Sequence, residues 1–199
     1  SLDIKTSAFR KLFLAEGDSV ADAVAAYHEA HTGVSRFDKF KYIYREILRR
    51  PLDENTFAML CNKFSELVME EVIQAPYVAG AFEFLTHYAC QYRCVIVSAT
   101  PQPEIETILS RRGIGNFFQR VFGAPTPKKD AVQKFLAATG TLPEEAVYIG
   151  DAPSDYEAAQ DNHIHFIARI KQNEWFFHTV ECPGIPDLVK LDDVIRSFP

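Results

Sequence analysis

The hydrophobic period of the chain changes once, at Ala75-Pro76, and that change constrains the architecture more than anything else in it. Upstream, apolar residues recur mostly at intervals of three and four: Phe9, Leu12 and Phe13, then Val20, Val24 and Tyr27, then Phe37, Phe40, Ile43 and Leu48. Residues spaced this way share one face of a helix. Gly17-Asp18-Ser19 ends one helix and caps the next, Gly33-Val34-Ser35 separates a second pair, and Pro51-Leu52-Asp53 opens a long helix reaching about Gln74. These punctuation residues carry the usual start and stop chemistry. Residues 4–75 therefore read as four helices joined by short turns.

Downstream, short β-branched runs at 93–98, 119–122, 146–150 and 164–168 alternate with helical stretches at 79–91, 102–112, 128–139 and 153–161. Strand–helix alternation with nearly continuous apolar strands predicts a parallel sheet covered on both faces, an α/β Rossmann-like domain over 76–199. Trp175-Phe176-Phe177 is expected to pack on that sheet, and Asp187 to Phe198 to form a short closing helix.

At 199 residues the chain has room for one such domain and a smaller appendage. A formal charge of −6 and the lack of a basic tract argue against a nucleic-acid partner. No apolar run approaches the length of a membrane span, and Ser1-Leu2-Asp3-Ile4-Lys5-Thr6 carries no apolar signal core. The expectation is a cytoplasmic protein acting on a small molecule. Cys61, Cys90, Cys94 and Cys182 are scattered without a CxxC pair, which suits buried thiols in a reducing compartment. His28 and His31 lie one helical turn apart, a spacing open to a metal, but no cysteine or carboxylate cluster points at them.

In open parallel sheets, ligands sit beyond the carboxyl ends of the strands. Ser98 ends the first downstream strand, where its hydroxyl and the N–H groups of Ala99 and Thr100 can donate to a phosphate oxygen; the same serine can equally cap the next helix. Gly150-Asp151-Ala152-Pro153-Ser154-Asp155 is more specific. Gly150 permits a sharp turn, Pro153 suits the first helical position, and Asp151 with Asp155 one turn on offers hard oxygen donors for Mg²⁺. The competing reading has Asp155 or Ser154 serving only the helix N-terminus. Lys128 and Lys129 follow a loop stiffened by Pro125 and Pro127, and a lysine fixed there can neutralise a phosphoryl group.

Ser98, then Lys128, then Asp151 with Asp155, each after its own strand, resembles motifs II, III and IV of the haloacid dehalogenase superfamily of phosphohydrolases. The run Gly123-Ala124-Pro125-Thr126-Pro127-Lys128 favours Lys128 over Lys129 as the third motif, and the N-terminal helices are similar to the helical C1 cap of the phosphoglycolate phosphatase and β-phosphoglucomutase branch. The resemblance runs from about residue 2 to about residue 170. It implies that Ser98 and Lys128 bind the phosphoryl oxygens, that Asp151 and Asp155 serve an Mg²⁺ site, and that the cap loop Thr32-Gly33-Val34-Ser35-Arg36 reaches substrate through Arg36, unless that loop is a plain connector with a solvated arginine.

The superfamily's first motif, Asp-x-Asp-x-(Thr/Val) at the end of the central strand, has no match in this chain. Asp3 lacks both the preceding apolar strand and a second aspartate. The strands ending in Ser98 and Asp151 would then face a gap with unpaired backbone groups, each costing roughly 1–3 kcal/mol when buried. The expected resolution is a strand contributed by residues upstream of residue 1; another polypeptide filling the slot and a rearranged sheet are the alternatives. With that strand, the resemblance implies an Mg²⁺-dependent phosphatase of small phosphorylated metabolites working through an aspartyl-phosphate. A phosphosugar mutase and an inert phosphate- or Mg²⁺-binding protein are the competing readings.

Overall fold

Polar turns with their own caps cut the first part of the chain into helices. In the computed structural model, which describes residues 2–170, 177 and 179–198, these are α1 (Leu2–Leu12), α2 (Asp18–Ala30), α3 (Arg36–Tyr42) and α4 (Glu54–Gln74). Ser35 Oγ accepts from the Asp38 N–H to start α3, and Asp53 Oδ1 accepts from the Thr56 N–H at 2.9 Å to start α4. α3 runs on into a wider π-helical turn over Ile43–Ile47. The helices close on Phe9, Phe13, Val24, Phe40, Ile43, Leu60 and Phe64, a buried cluster drawn wholly from residues before Pro76.

After α5 (Ala81–Tyr88) the chain alternates β1 (Val95–Pro101), α6 (Gln102–Arg111), β2 (Arg120–Ala124), α7 (Lys128–Thr139), β3 (Val147–Gly150), α8 (Pro153–Asp161) and β4 (His165–Arg169). These are the expected elements in the expected order. Two shorter ones close the chain: β5 (Gly184–Ile185), which the sequence pattern did not predict, and α9 (Leu191–Ile195). Phe177 is buried with its ring 5.9 Å from that of Phe166, as expected; Trp175 and Phe176 lie outside the described residues. All strand pairs are parallel.

The sheet is divided. β1 pairs with β2, and β3, β4 and β5 form a separate ladder in that order. No strand among the described residues joins β1 to β3. Burial follows the division: Phe166, Ile167 and Ala168 of β4 are buried, whereas Val95 to Thr100 of β1 and all four residues of β3 are only partly so. In an intact doubly covered sheet the middle strands would be the driest. Here the strands beside the division are open.

The helical half rests on α6. Arg112 donates to the carbonyls of Val72 (3.0 Å), Ile73 (2.7 Å) and Ala75 (2.8 Å), satisfying the end of α4, and its guanidinium lies over the Tyr77 ring. Arg111 pairs with Glu70 on the same helix.

Candidate active site

A cavity of about 270 Å³ opens between the ends of β1 and β3 and is roofed by α1, α2, α3 and the turn at Thr32-Gly33-Val34. It collects residues remote in sequence: Lys5, His28, Arg36 and Lys39 from the helical half, and Ser98, Ala99, Thr100, Lys128, Tyr148, Asp151 and Asp155 from the strand ends. All the sequence-predicted site residues meet here.

Their contacts divide them by role. Ser98 sits where β1 loses register with β2, between Val97 and Pro101, and its Oγ accepts from the Thr100 N–H at 3.1 Å. The Thr100 amide is thus already engaged, leaving the Ser98 hydroxyl proton and the Ala99 amide as donors for a ligand. Lys128 opens α7 directly after Pro127 and places Nζ 2.6 Å from Asp155 Oδ1 and 2.9 Å from Ser154 Oγ. Lys129 points elsewhere, to Asp161 on the surface.

Asp151 and Asp155, expected to act together on a cation, stand in different surroundings. Asp155 is buried, accepts from Lys128 and from the Tyr148 hydroxyl (2.8 Å) on one oxygen, and accepts from the Ala152 N–H (3.1 Å) on the other. It anchors Lys128 and fastens the start of α8. Gly150 makes this possible, because a Cβ there would come within 2.8 Å of Asp155 Oδ2. Burial and the neighbouring Asp155 push the Tyr148 phenol well above its ordinary value, so it stays a hydrogen-bond donor. Asp151 is exposed at the cavity mouth with no ion pair or hydrogen bond to its carboxylate among the described residues. A free carboxylate beside a phosphate-sized opening fits Mg²⁺, which takes one or two protein carboxylates and fills the rest of its shell with water and ligand oxygens. Among the described residues there is no group of three or more histidines, cysteines or carboxylates that would enclose a metal without such help.

Arg36, the expected substrate contact, is committed to protein. Its guanidinium donates to Glu104 of α6 at 3.0 and 2.5 Å and to Ser65 Oγ at 2.7 Å, and lies over the Phe64 ring. It is 6% exposed and holds the helical half against the sheet, so in this arrangement the side chain is a latch that lines the cavity. The segment before it does reach the site. Gly33 has φ +80°, and a Cβ on it would stand 2.6 Å from Ala152 Cβ and 3.0 Å from Lys128 Nζ. His28 and His31 form no metal pair: His28 Nδ1 meets Lys39 Nζ at 2.7 Å, and His31 Nδ1 meets the Tyr27 carbonyl. The four cysteines are free as expected, but none is fully buried: Cys61, Cys94 and Cys182 are half-buried and Cys90 is exposed.

Sequence reasoning missed Lys5, Lys39 and Tyr148, and weighed His28 only as a metal ligand. A signal for Lys39 was present: Arg36, Lys39, Phe40 and Ile43 share the core-facing period of one helix, and two charges at such positions mark a polar interior.

This geometry agrees with the comparisons. A model of the haloacid dehalogenase-like hydrolases matches residues 8–169. The chain belongs to that family. Among solved structures, a β-phosphoglucomutase from Clostridium difficile superposes with TM-score 0.77 at 14% identity, covering 99% of this chain and 90% of that one. A Bacteroides fragilis protein described as a haloacid dehalogenase-like hydrolase gives 0.74 at 17% identity, over 96% of this chain and 92% of its own. A predicted phosphoglycolate phosphatase from Haemophilus somnus gives 0.71 at 16%, over 98% and 91%. At these identities the likeness is one of fold. No curated protein matches the chain. As a haloacid dehalogenase-like hydrolase, it gathers Ser98, Lys128, Asp151 and Asp155 around one cavity that opens at the division of its sheet.

Proposed function

We propose that the protein is an Mg²⁺-dependent phosphohydrolase of small phosphorylated metabolites, completed by a strand seated between β1 and β3. The observation that carries this reading is the convergence of Ser98, Lys128 and Asp151 on one cavity from three separate strand ends, with Lys128 already fixed by Asp155. The Ser98 hydroxyl, the Ala99 amide and Lys128 Nζ bind and orient the phosphoryl oxygens, and the lysine stabilises charge as it builds on them. Asp151 holds the cation, which supplies further charge neutralisation on the same oxygens when bound. The inserted strand, from residues preceding residue 1 or from another polypeptide, brings an aspartate that attacks phosphorus as the ester P–O bond breaks. It also brings a second carboxyl group, which protonates the leaving alcohol and then takes a proton from the water that cleaves the aspartyl-phosphate to inorganic phosphate. The seated turn at Gly33 keeps bulk water from the reacting group and opens for exchange of substrate and product.

The test is a phosphatase assay with Mg²⁺ on protein extended upstream of residue 1, against the same protein carrying Asp151→Asn. Turnover that falls at least about a hundredfold in the variant, with weakened Mg²⁺ binding, supports the reading. No turnover by the extended protein would establish an inert binder. Unchanged Mg²⁺ affinity in the variant would remove Asp151 from the cation site. Product that is an isomeric phosphate instead of inorganic phosphate would make the protein a mutase.

A further inference from the structure

The phosphate end of the cavity is built on an irregularity in β1. Val97 pairs with Phe122 of β2 and Pro101 with Ala124, so Ser98, Ala99 and Thr100 stand opposite Gly123 alone. The strand bulges there, and a bulge beside a site re-aims the groups that it carries. All three bulge residues line the cavity. Inside the bulge, the Thr100 N–H donates to Ser98 Oγ and gives it some shape of its own. Beyond it, Pro101 has no N–H with which to rejoin the ladder.

Gln102 supplies what Pro101 cannot. It opens α6, and its side-chain amide turns back to β2: Nε2 donates to the Val121 carbonyl at 3.0 Å, and Oε1 accepts from the Gly123 N–H. Val121 and Gly123 are two residues apart on one strand, so these groups lie along one edge and the amide meets them as a neighbouring peptide would. The other Nε2 hydrogen goes to Glu106 Oε1 at 2.6 Å. Only this orientation of the amide satisfies all three partners. The backbones beneath it are in close contact: a Cβ on Gly123 would stand 2.6 Å from Gln102 Cα and 2.7 Å from the Thr100 carbonyl oxygen. The bulge is thus tied to β2 on both sides, by the ladder at Val97 and by the Gln102 amide past Pro101.

We propose that Gln102 is a positioning residue for the phosphoryl-binding bulge. Its amide fixes the far end of Ser98-Ala99-Thr100 and so sets the spacing between the Ser98 hydroxyl and the Ala99 N–H, the two donors that one phosphoryl group spans. Gln102 does not line the cavity, so it acts on a ligand through the bulge and not by touching it. Lys128, the third phosphoryl contact, is fixed separately by Asp155 and Ser154, which leaves the bulge as the part that Gln102 governs. The tie between the bulge and β2 holds whatever the ligand; that the ligand is a phosphoryl group rests on the phosphohydrolase reading above.

The test is calorimetric titration of inorganic phosphate into the parent chain, Gln102→Met, Ser98→Ala and the double variant, with amide hydrogen exchange on the same proteins. Gln102→Met keeps the length of the side chain and removes both bonds to β2. It is expected to weaken phosphate binding about fivefold or more in the parent background and by less than about twofold beside Ser98→Ala, where the hydroxyl that it positions is gone. The Thr100 amide, which donates to Ser98 and not to Gln102, is expected to exchange about tenfold or more faster in Gln102→Met, with the Ala152 amide held by Asp155 unchanged. Undiminished phosphate binding, an equal loss in both backgrounds, or faster exchange confined to the Gly123 amide overturns the proposal. A parent that binds no phosphate refutes the phosphohydrolase reading, and the positioning role falls with it. If Gln102→Met melts too low to titrate, Gln102→Glu takes its place. That variant retains the bond from Gly123 and loses the donors to Val121 and Glu106, with the same outcomes expected.

Discussion

The helical half and the strands behind it are both apolar and both strongly periodic, yet only one of them is closed. Phe40 and Ile43 are 0% exposed, while Val97 of β1 and Ile149 of β3 are only partly buried. The difference is one of partners. A helix face in the first part of the chain is covered by the other helices of that part, so α1 to α4 can finish their own core. A strand needs hydrogen-bonded neighbours on both edges, and β1 and β3 each have one among the described residues. β4, flanked on both sides, reaches full burial at Ile167 and Ala168. Periodicity specifies an element; completeness of burial depends on what lies beside it.

Truncation should separate the two regions most sharply. Phe40→Ala removes a ring from a closed cluster and is expected to cost about 3–5 kcal/mol, whereas Ile149→Ala at the open edge should cost about 1 kcal/mol. Denaturant midpoints of the two variants measure this directly, and equal losses would mean that the edge strands are as well packed as the helices. Protein carrying the inserted strand should show the Ile149 penalty rise toward the Phe40 value.

The contrast also explains what could be read in advance. Helix and strand order, the caps at Ser35 and Asp53, and the convergence of Ser98, Lys128 and Asp151 follow from local spacing and from the rule that ligands sit at strand ends. Side-chain alliances do not follow from spacing. Arg36 looked free in a loop, but its nearest carboxylate, Glu104, is supplied by a helix 68 residues later. Asp155 looked like a cation ligand until Tyr148 and Lys128 were found on one of its oxygens. β5 is two residues long, too short for any period to register.

Lys128 and Asp155 join the core of the site to the closed side of the comparison, since both side chains are largely buried although the cavity reaches them. Lys128→Met leaves Asp155 with only the Tyr148 hydroxyl and the Ala152 amide. The expected loss is about 2–3 kcal/mol, less than for a fully dry pair because water can enter the cavity. Chemical denaturation measures it, and the same variant should bind phosphate at least about tenfold more weakly. Lost phosphate binding without lost stability would mean that Asp155 finds other support.

Titration gives a smaller and directional effect. Lys39 has its folded pKa lowered to about 7 from 10.5, so it is charged in both states below pH 7 and its burial is fully penalised there. Between about pH 7 and 10.5 the unfolded chain holds more protons than the folded one, and stability rises with pH across that window. His28, lowered to about 3 from 6.5, gives the same sign lower down: stability rises from about pH 3 to 6.5. The groups facing Lys39 are Lys5 from α1, His28 from α2 and Lys128 from α7, none of which offers a negative charge. Melting temperatures of the parent relative to Lys39→Met should therefore climb between pH 7 and 10, with the variant the more stable at pH 6. A flat difference would place the Lys39 charge in contact with an anion that the described residues lack.

The smallest effect tests where the closed and open regions touch. Gly33 holds φ +80°, in the left-handed region that costs an alanine about 1–2 kcal/mol, and its missing Cβ is what lets the turn sit on Ala152 and Lys128. In Gly33→Ala the turn cannot keep both its conformation and its seat. If it lifts, the helical core stays intact because none of its buried residues lies in the turn. The melting temperature should then fall by only a few degrees, while small anions enter and leave the cavity faster. The comparison is sharpened if that variant keeps the Phe40 packing yet binds inorganic phosphate more weakly, since the turn is seated on Lys128. Unaltered phosphate binding would instead show that Arg36 and Glu104 alone hold the two halves at their working distance.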